Sequence, residues 1–370
     1  MRFDPFQFYP TNQMTALNLV SLFSDLGDRD MILDSSAGQG ALLDAIREKR
    51  INDYIDFHNK NGFLKKTISR ENLGRHEIEN VLQGMSLYCA EIDFNHHPTL
   101  KAKGYQMVGT DFLDMRDLSR FSKILMNPPF REGVKHLLHA WRGLWEGEIA
   151  CILNAETIRN PYTAERKFLC DLIERHGRVE FEEGAFENSE RKTSVEIAYV
   201  LLKKSARSDI TAEIIADAMN EGDRSRDEDI VRDVFDTENQ IALRGSTIKN
   251  AVKAYNAAVQ AAKESAIAAG RAGYYASLCG MEYIESSLEG VIAEGAPAVR
   301  KRIAKHHEAI LSASWKNIID STDFTSRLSS KARERFMSEL KTISQLEFTT
   351  KNIYALLDGI VASQGEIQTS

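Results

Sequence analysis

The sequence predicts an α/β fold, with a mostly parallel sheet in its first half and an α-helical C-terminal domain after it. Three observations carry that expectation. Four successive apolar runs are closed by a polar side chain, namely Asp34, Glu91, Asp111 and Asn127. This is the layout of a parallel sheet whose ligand crevice lies along the carboxyl ends of its strands. The first run leads into a glycine-containing turn and then a helical pattern, the order that a nucleotide-type site requires. From Ile241 onward, the strand-like runs give way to helical patterns, alanine-rich between Ala251 and Ala269.

Composition bounds the function. With 370 residues, 43% hydrophobic and 27% charged, the chain can bury two or three cores of ordinary size. Its net charge of −7 excludes a general basic field, so any grip on nucleic acid must be a local patch. Cys89, Cys151, Cys170 and Cys279 form no Cys-x-x-Cys pair. They fit neither a disulfide framework nor a zinc site, and no metal is expected. The N-terminus lacks the apolar segment of a signal peptide, and no apolar run approaches membrane-spanning length; a cytoplasmic protein with no membrane partner is the expectation.

Taken in order, Phe8-Tyr9-Pro10-Thr11 precedes a helical pattern with Met14, Leu17 and Val20 on one face, and Thr11 is placed as its N-cap. Met31-Ile32-Leu33 reads as a strand ending at Asp34. The turn Ser35-Ser36-Ala37-Gly38-Gln39-Gly40 and a helix from Ala41 follow. Glycines there let the backbone approach a ligand more closely than a Cβ would, and tolerate positive φ. A dinucleotide site usually has a third glycine three residues on, where this chain has Leu43. The second strand, Leu87 to Ala90, reaches Glu91 much later than the usual ~20 residues after such a turn. The polar stretch of about 51–83 between them reads as an insertion extending the first crossover. Its Lys65, Lys66, Arg70 and Arg75 suit either a phosphate backbone or a solvated charged face.

A third strand near Tyr105 to Val108 leads to Gly109-Thr110-Asp111-Phe112, and Ile124-Leu125-Met126 leads to Asn127-Pro128-Pro129-Phe130. An asparagine amide offers an acceptor oxygen. Proline after it leaves a carbonyl free and supplies no competing N–H, while the aromatic ring offers a flat face. Together they suit a clamp for an amino group on a flat ring; a strand-ending turn is the alternative. Val134, Leu137, Leu138, Trp141 and Leu144 keep helical spacing, with His136 and His139 at its rim. Ile149 to Leu153, Val179 to Phe181 and Val195 to Leu202 read as the fifth to seventh strands, with a helix from about Thr163 to Arg175 after the fifth.

In combination, Phe8-Tyr9-Pro10-Thr11, Asp34-x-x-x-Gly38-x-Gly40, Asp111-Phe112 and Asn127-Pro128-Pro129-Phe130 resemble the motifs of N6-adenine DNA methyltransferases that use S-adenosylmethionine (AdoMet), with the cofactor motif before the Asn-Pro-Pro-Phe motif. The resemblance implies a class I, Rossmann-like fold with a mostly parallel seven-stranded sheet. It implies that Tyr9, Thr11, Asp34, Ala37, Gly38 and Gly40 face the amino-acid end of AdoMet. Glu91 and Ile92 would hold its ribose, and Asp111 and Phe112 its adenine, with Asn127 touching both cofactor and target. Asn127, Pro128, Pro129 and Phe130 would be catalytic, acting on an adenine flipped out of DNA. In the loop 184–193, Phe186 would face the base and Arg191 or Lys192 a phosphate, ordinary hairpin packing being the alternative.

The resemblance covers residues 1–204. An acidic connector, 205–240, and a helical domain, 241–370, for target recognition or oligomerisation follow, the latter similar to domains of phage or mobile-element methyltransferases. The implied activity is site-specific or low-specificity adenine methylation of the restriction-modification kind. RNA adenine or protein glutamine as acceptor, and a catalytically silent DNA-binding or assembly protein, remain alternatives.

Overall fold

A computed structural model describes residues 11–61, 67–183, 196–205, 247–278, 296–321 and 345–356. The chain divides into two compact units, Met1–Lys204 and Ser205–Ser370.

The first unit is built on a seven-stranded sheet. Its strands are β1 (Met31–Asp34), β2 (Ser86–Ala90), β3 (Gln106–Gly109), β4 (Lys123–Met126), β5 (Gly147–Asn154), β6 (Gly177–Glu182) and β7 (Ile197–Lys204), in the order β3-β2-β1-β4-β5-β7-β6. β1 to β5 pair in parallel, and β7 runs antiparallel to both β5 and β6. The central strands are covered on both faces, so they read as continuous apolar runs: every residue of β4 is buried. The last strand begins at Ile197, two positions later than its apolar pattern begins in the sequence.

The helices are α1 (Gln13–Ser21), α2 (Ala41–Asn61), α3 (Arg75–Leu82), α4 (His97–Ala102), α5 (Gly133–Gly143), α6 (Glu156–Arg159) and α7 (Ala164–His176). One core layer joins α1 and the start of α2 to one face of the sheet through Leu19, Phe23, Leu43, Ile46, Leu125 and Ile152. The other joins α5 and α7 to the opposite face through Ile124, Leu137, Cys151, Leu169 and Val200. α1 is capped by Asn12, whose side chain accepts from Thr15 N, and not by Thr11. The two are adjacent and chemically suited to the task; Thr11 is instead engaged elsewhere, as shown below. Within the stretch of about 51–83, α2 runs on to Asn61, and α3 follows. Arg70 and Arg75 are exposed, whereas Lys65 and Lys66 lie outside the described residues.

In the second unit α8 (Thr247–Leu278) and α9 (Ala296–Ser321) share a core containing Tyr255, Leu311, Trp315 and Phe348. His307, which follows Lys301, Arg302, Lys305 and His306 in a locally basic stretch of the sequence, is buried. It lies 3.1 Å from the Tyr255 hydroxyl, which donates to Glu347 Oε1 at 2.8 Å. A hydroxyl that spends its hydrogen on Glu347 accepts from His307, so Nε2 of this imidazole carries a hydrogen. The sequence also has a helical pattern from Lys331 to Ile343, which lies outside the described residues.

Candidate active site

The strand order reverses between β1 and β4, and the crevice at such a switch point is where open α/β sheets bind ligands. A cavity of about 650 Å³ opens there, within the usual range for small-molecule sites. Its walls come from the turn after β1, the ends of β2 and β3, and the segment that joins β4 to α5.

Asp34 ends β1 and is fully buried. Its Oδ1 accepts from Ser36 N at 3.2 Å, while Oδ2 is buried with no hydrogen-bond partner. Burial pushes this carboxyl up to about 7, against the Ser36 hydrogen bond and with a smaller upward push from Glu91. In the turn that follows, Gly38 and Gly40 have φ of 50° and 88°, a region that L side chains enter at a cost. The second glycine serves packing as well as the turn: a Cβ on Gly40 would sit 2.9 Å from the Tyr105 ring and 3.2 Å from Leu100. Its free space faces the core, and Gly40 is not among the cavity's lining residues, whereas Ala37 and Gly38 are.

Glu91 fastens the turn to the next strand. Its Oε2 accepts from Gly38 N at 2.6 Å and its Oε1 from Asp93 N at 2.7 Å. A carboxylate oxygen has a second lone pair, so both atoms keep accepting capacity for a ligand. Ile92, beside it, is partly exposed and lines the cavity. Asp111 accepts from Leu113 N at 3.0 Å and starts a single 3-10 turn, Phe112–Asp114. Phe112 reaches the cavity wall, but most of its ring is spent on two histidines: stacked against His136 (6.1 Å, 15°) and edge-on to His139 (5.1 Å, 83°).

Asn127 follows β4 directly, and its Nδ2 donates to Thr11 Oγ1 at 2.8 Å, across 116 positions of sequence. The amide nitrogen is thereby occupied. Its Oδ1 has no partner among the described residues and is not sealed in the interior, so the acceptor is open to the cavity that Asn127 lines. Pro129 lines the same cavity. Pro128 is buried beneath it, and Phe130 packs part-buried against the α1 side of the core. Tyr9, Phe186, Arg191 and Lys192 lie outside the described residues.

The structure therefore brings Thr11, Ala37, Gly38, Glu91, Ile92, Asp111, Phe112, Asn127 and Pro129 to one cavity. It adds Asp93, His96, Arg131 and Lys135, whose polar side chains look like ordinary surface in the sequence. Only their spacing from the strand ends could have signalled them. Among the described residues no cluster of His, Cys, Asp and Glu could hold a metal ion, and no helix is long and apolar enough to cross a membrane.

The strand order and the antiparallel seventh strand decide the architecture. The fold is that of a class I methyltransferase. No curated protein matches the chain. Residues 307–370 match a family model described as "Domain of unknown function (DUF4942)". Among solved structures the chain is similar to a modification subunit assigned to a type I restriction enzyme from Vibrio vulnificus YJ016, at 15% identity over 54% of this chain and 45% of that one, with a TM-score of 0.39. It is similar to TrmN from Thermus thermophilus, at 19% identity over 52% and 49%, with a TM-score of 0.31. A TehB-like SAM-dependent methyltransferase from Corynebacterium glutamicum gives 15% identity over 51% and 87%, with a TM-score of 0.30. The chain spans less than half the length of the first two. At these values the likenesses add nothing to what the sheet order itself shows.

Proposed function

We propose that the chain transfers a methyl group from AdoMet to the N6 amino group of adenine in DNA, with the base flipped out of the helix. The observation that carries this reading is Asn127: an amide fixed by Thr11 through its nitrogen, offering its oxygen to a cavity next to a glycine turn. The cavity suits the cofactor on its own terms. Asp34 does not itself line the cavity, but beneath the Ser35–Gly38 turn that does, its Oδ2 is a buried oxygen without a partner, which an ammonium group reaching it would satisfy. The positive-φ turn brings the backbone of Ala37 and Gly38 to the cavity wall, where a ligand can approach it closely. When bound, AdoMet supplies a sulfonium methyl as the electrophile.

The protein's part is orientation. Asn127 Oδ1 and the Pro128 carbonyl accept the two N6 hydrogens, which draws the nitrogen lone pair out of conjugation with the ring and turns it toward the methyl group. The N6–C bond forms as the S–C bond breaks, and the leaving group is neutral S-adenosylhomocysteine. The nitrogen, now cationic and acidic, loses its proton to solvent, so no strong base is needed. Extruding the base costs a few kcal/mol, and a stacking partner returns roughly 1–3 kcal/mol. Phe130 takes that role by turning out from its part-buried seat.

The test is transfer of labelled methyl from AdoMet to DNA, RNA and a protein extract in parallel, followed by nucleoside analysis. N6-methyladenine in DNA is the expected product. Label confined to RNA adenine or protein glutamine keeps cofactor and clamp and replaces the substrate. No label anywhere, together with no AdoMet binding, leaves a silent scaffold.

A further inference from the structure

We infer that His136 is a specificity residue for the cofactor's purine, pairing with Asp111 to present two hydrogen-bond acceptors that select an exocyclic amino group over a carbonyl. The inference rests on the AdoMet reading above and adds to it a residue on α5, an element that the strand-end motifs do not include.

The ring's chemistry follows from its contacts. His136 Nδ1 lies 3.0 Å from the Glu132 carbonyl oxygen. A carbonyl oxygen only accepts, so Nδ1 carries the hydrogen. Burial holds the imidazole below its ordinary pKa, more strongly than the Glu132 contacts and Asp111 raise it. The ring is thus neutral at pH 7, and Nε2 bears a lone pair. Nε2 has no partner among the described residues, yet it is not enclosed; the opening available to it is the cavity that His136 lines.

The ring is also held in place. One face stacks on Phe112, and the same phenylalanine is met edge-on by His139, whose Nε2 lies 2.7 Å from the Met115 carbonyl. Asp111 stands one residue before Phe112, close enough to influence the charge of His136. A ligand ring entering beside Phe112 therefore meets two acceptors and no donor from this pair. An amino group satisfies both. A ring carbonyl would oppose its lone pair to those of Asp111 and His136 and leave the buried His136 Nε2 without a donor, the situation in which polar sites discriminate most strongly.

The experiment is calorimetric binding of S-adenosylhomocysteine and of its inosine analogue, in which a carbonyl replaces the amino group, to the full chain. The unaltered protein should prefer the amino compound by about 30-fold or more. His136→Phe keeps a ring against Phe112 but removes the acceptor. It should lose about tenfold of that preference, mainly through weaker binding of the amino compound. His139→Phe, which disturbs the same aromatic group without touching the acceptor, should keep the preference. A His136→Phe protein that discriminates as the unaltered one does overturns the inference while leaving the AdoMet reading intact. An unaltered protein that binds neither compound overturns both. A measurement independent of any substitution is the ¹⁵N resonance of His136 Nε2, which should shift when S-adenosylhomocysteine is added. A resonance that stays put while the compound binds overturns the inference.

Discussion

At the amino-terminal edge of the sheet, Lys123 opens β4 with its side chain only 6% exposed. It lies 3.1 Å from Glu148, 3.4 Å from Asp25 and 3.7 Å from Asp30. Ser24 donates to Glu148 at 2.9 Å, and Ser122 donates to Asp30 at 2.7 Å. Burial alone would push the Glu148 carboxyl up, but Lys123, Ser24 and Lys203 together hold it below its ordinary value. Two residues, about 7 Å, further along in register, at the carboxyl-terminal edge, Asp34 is equally buried and has the opposite fate. One of its oxygens has no partner, and its pKa is raised. The same strands thus carry a charge cluster that is complete without a ligand and a carboxyl group that is not. Satisfied burial belongs to stability, and unsatisfied burial at a crevice marks a binding site.

The contrast can be broken most sharply at Asn127. Asn127→Ala should lower methyl transfer roughly 100- to 1,000-fold, measured by single-turnover kinetics, with AdoMet affinity and melting temperature little changed. Retained turnover would remove Asn127 from its role. At the other edge, Lys123→Met strands Glu148 in the interior and should cost about 3–5 kcal/mol in urea unfolding, without altering cofactor affinity in the folded fraction.

Asp34 gives a signed test. Its folded pKa of about 7 lies above the ordinary 3.8, so the native state binds the proton more tightly than the unfolded chain. The group's contribution to stability is therefore full below pH 3.8, declines as pH rises through that interval, and is gone above about 7. Asp34→Asn should flatten this part of the pH dependence of unfolding and abolish tight AdoMet binding. A stability difference between pH 5 and 8 that survives the substitution would assign it to other groups. Thr11→Val should slow transfer by roughly five- to tenfold with the dissociation constant for AdoMet little altered, and Thr11→Ser should restore the rate. The smallest effect belongs to the solvent-facing pair Lys49–Asp53, 2.9 Å apart. Lys49→Ala should change stability by under about 0.5 kcal/mol.

Much of the sheet was legible because its strands are short, apolar and closed by polar residues. Asp34, Glu91, Asp111 and Asn127 could be ordered along one edge before any coordinates. What was not legible depends on partners distant in sequence. Thr11 and Asn12 are both competent caps, and only the approach of Asn127 decides which of them caps α1. Gly40 looks like a ligand-facing glycine until Tyr105 and Leu100 are found filling the space beside it. His307 sits in a run of basic residues, and nothing local reveals that Tyr255 and Glu347 enclose it. The length of α2 was hidden because its second half buries almost nothing, so the hydrophobic periodicity that betrays a helix fades just where the helix continues.

That second half of α2 has a consequence of its own. At 1.5 Å per residue, a 21-residue helix is about 31 Å long, more than twice the span of the strand it follows. Arg50 is tied to Asp28 and to the Leu26 and Val81 carbonyls at the sheet's amino-terminal edge, and beyond it Ile51 is the last buried side chain. Within the first unit, the turns after Ile51 therefore run on past the sheet's amino-terminal edge, away from the candidate site, with α3 beside them. Length and composition there can drift, or a reporter can be grafted, at little expense to the catalytic edge.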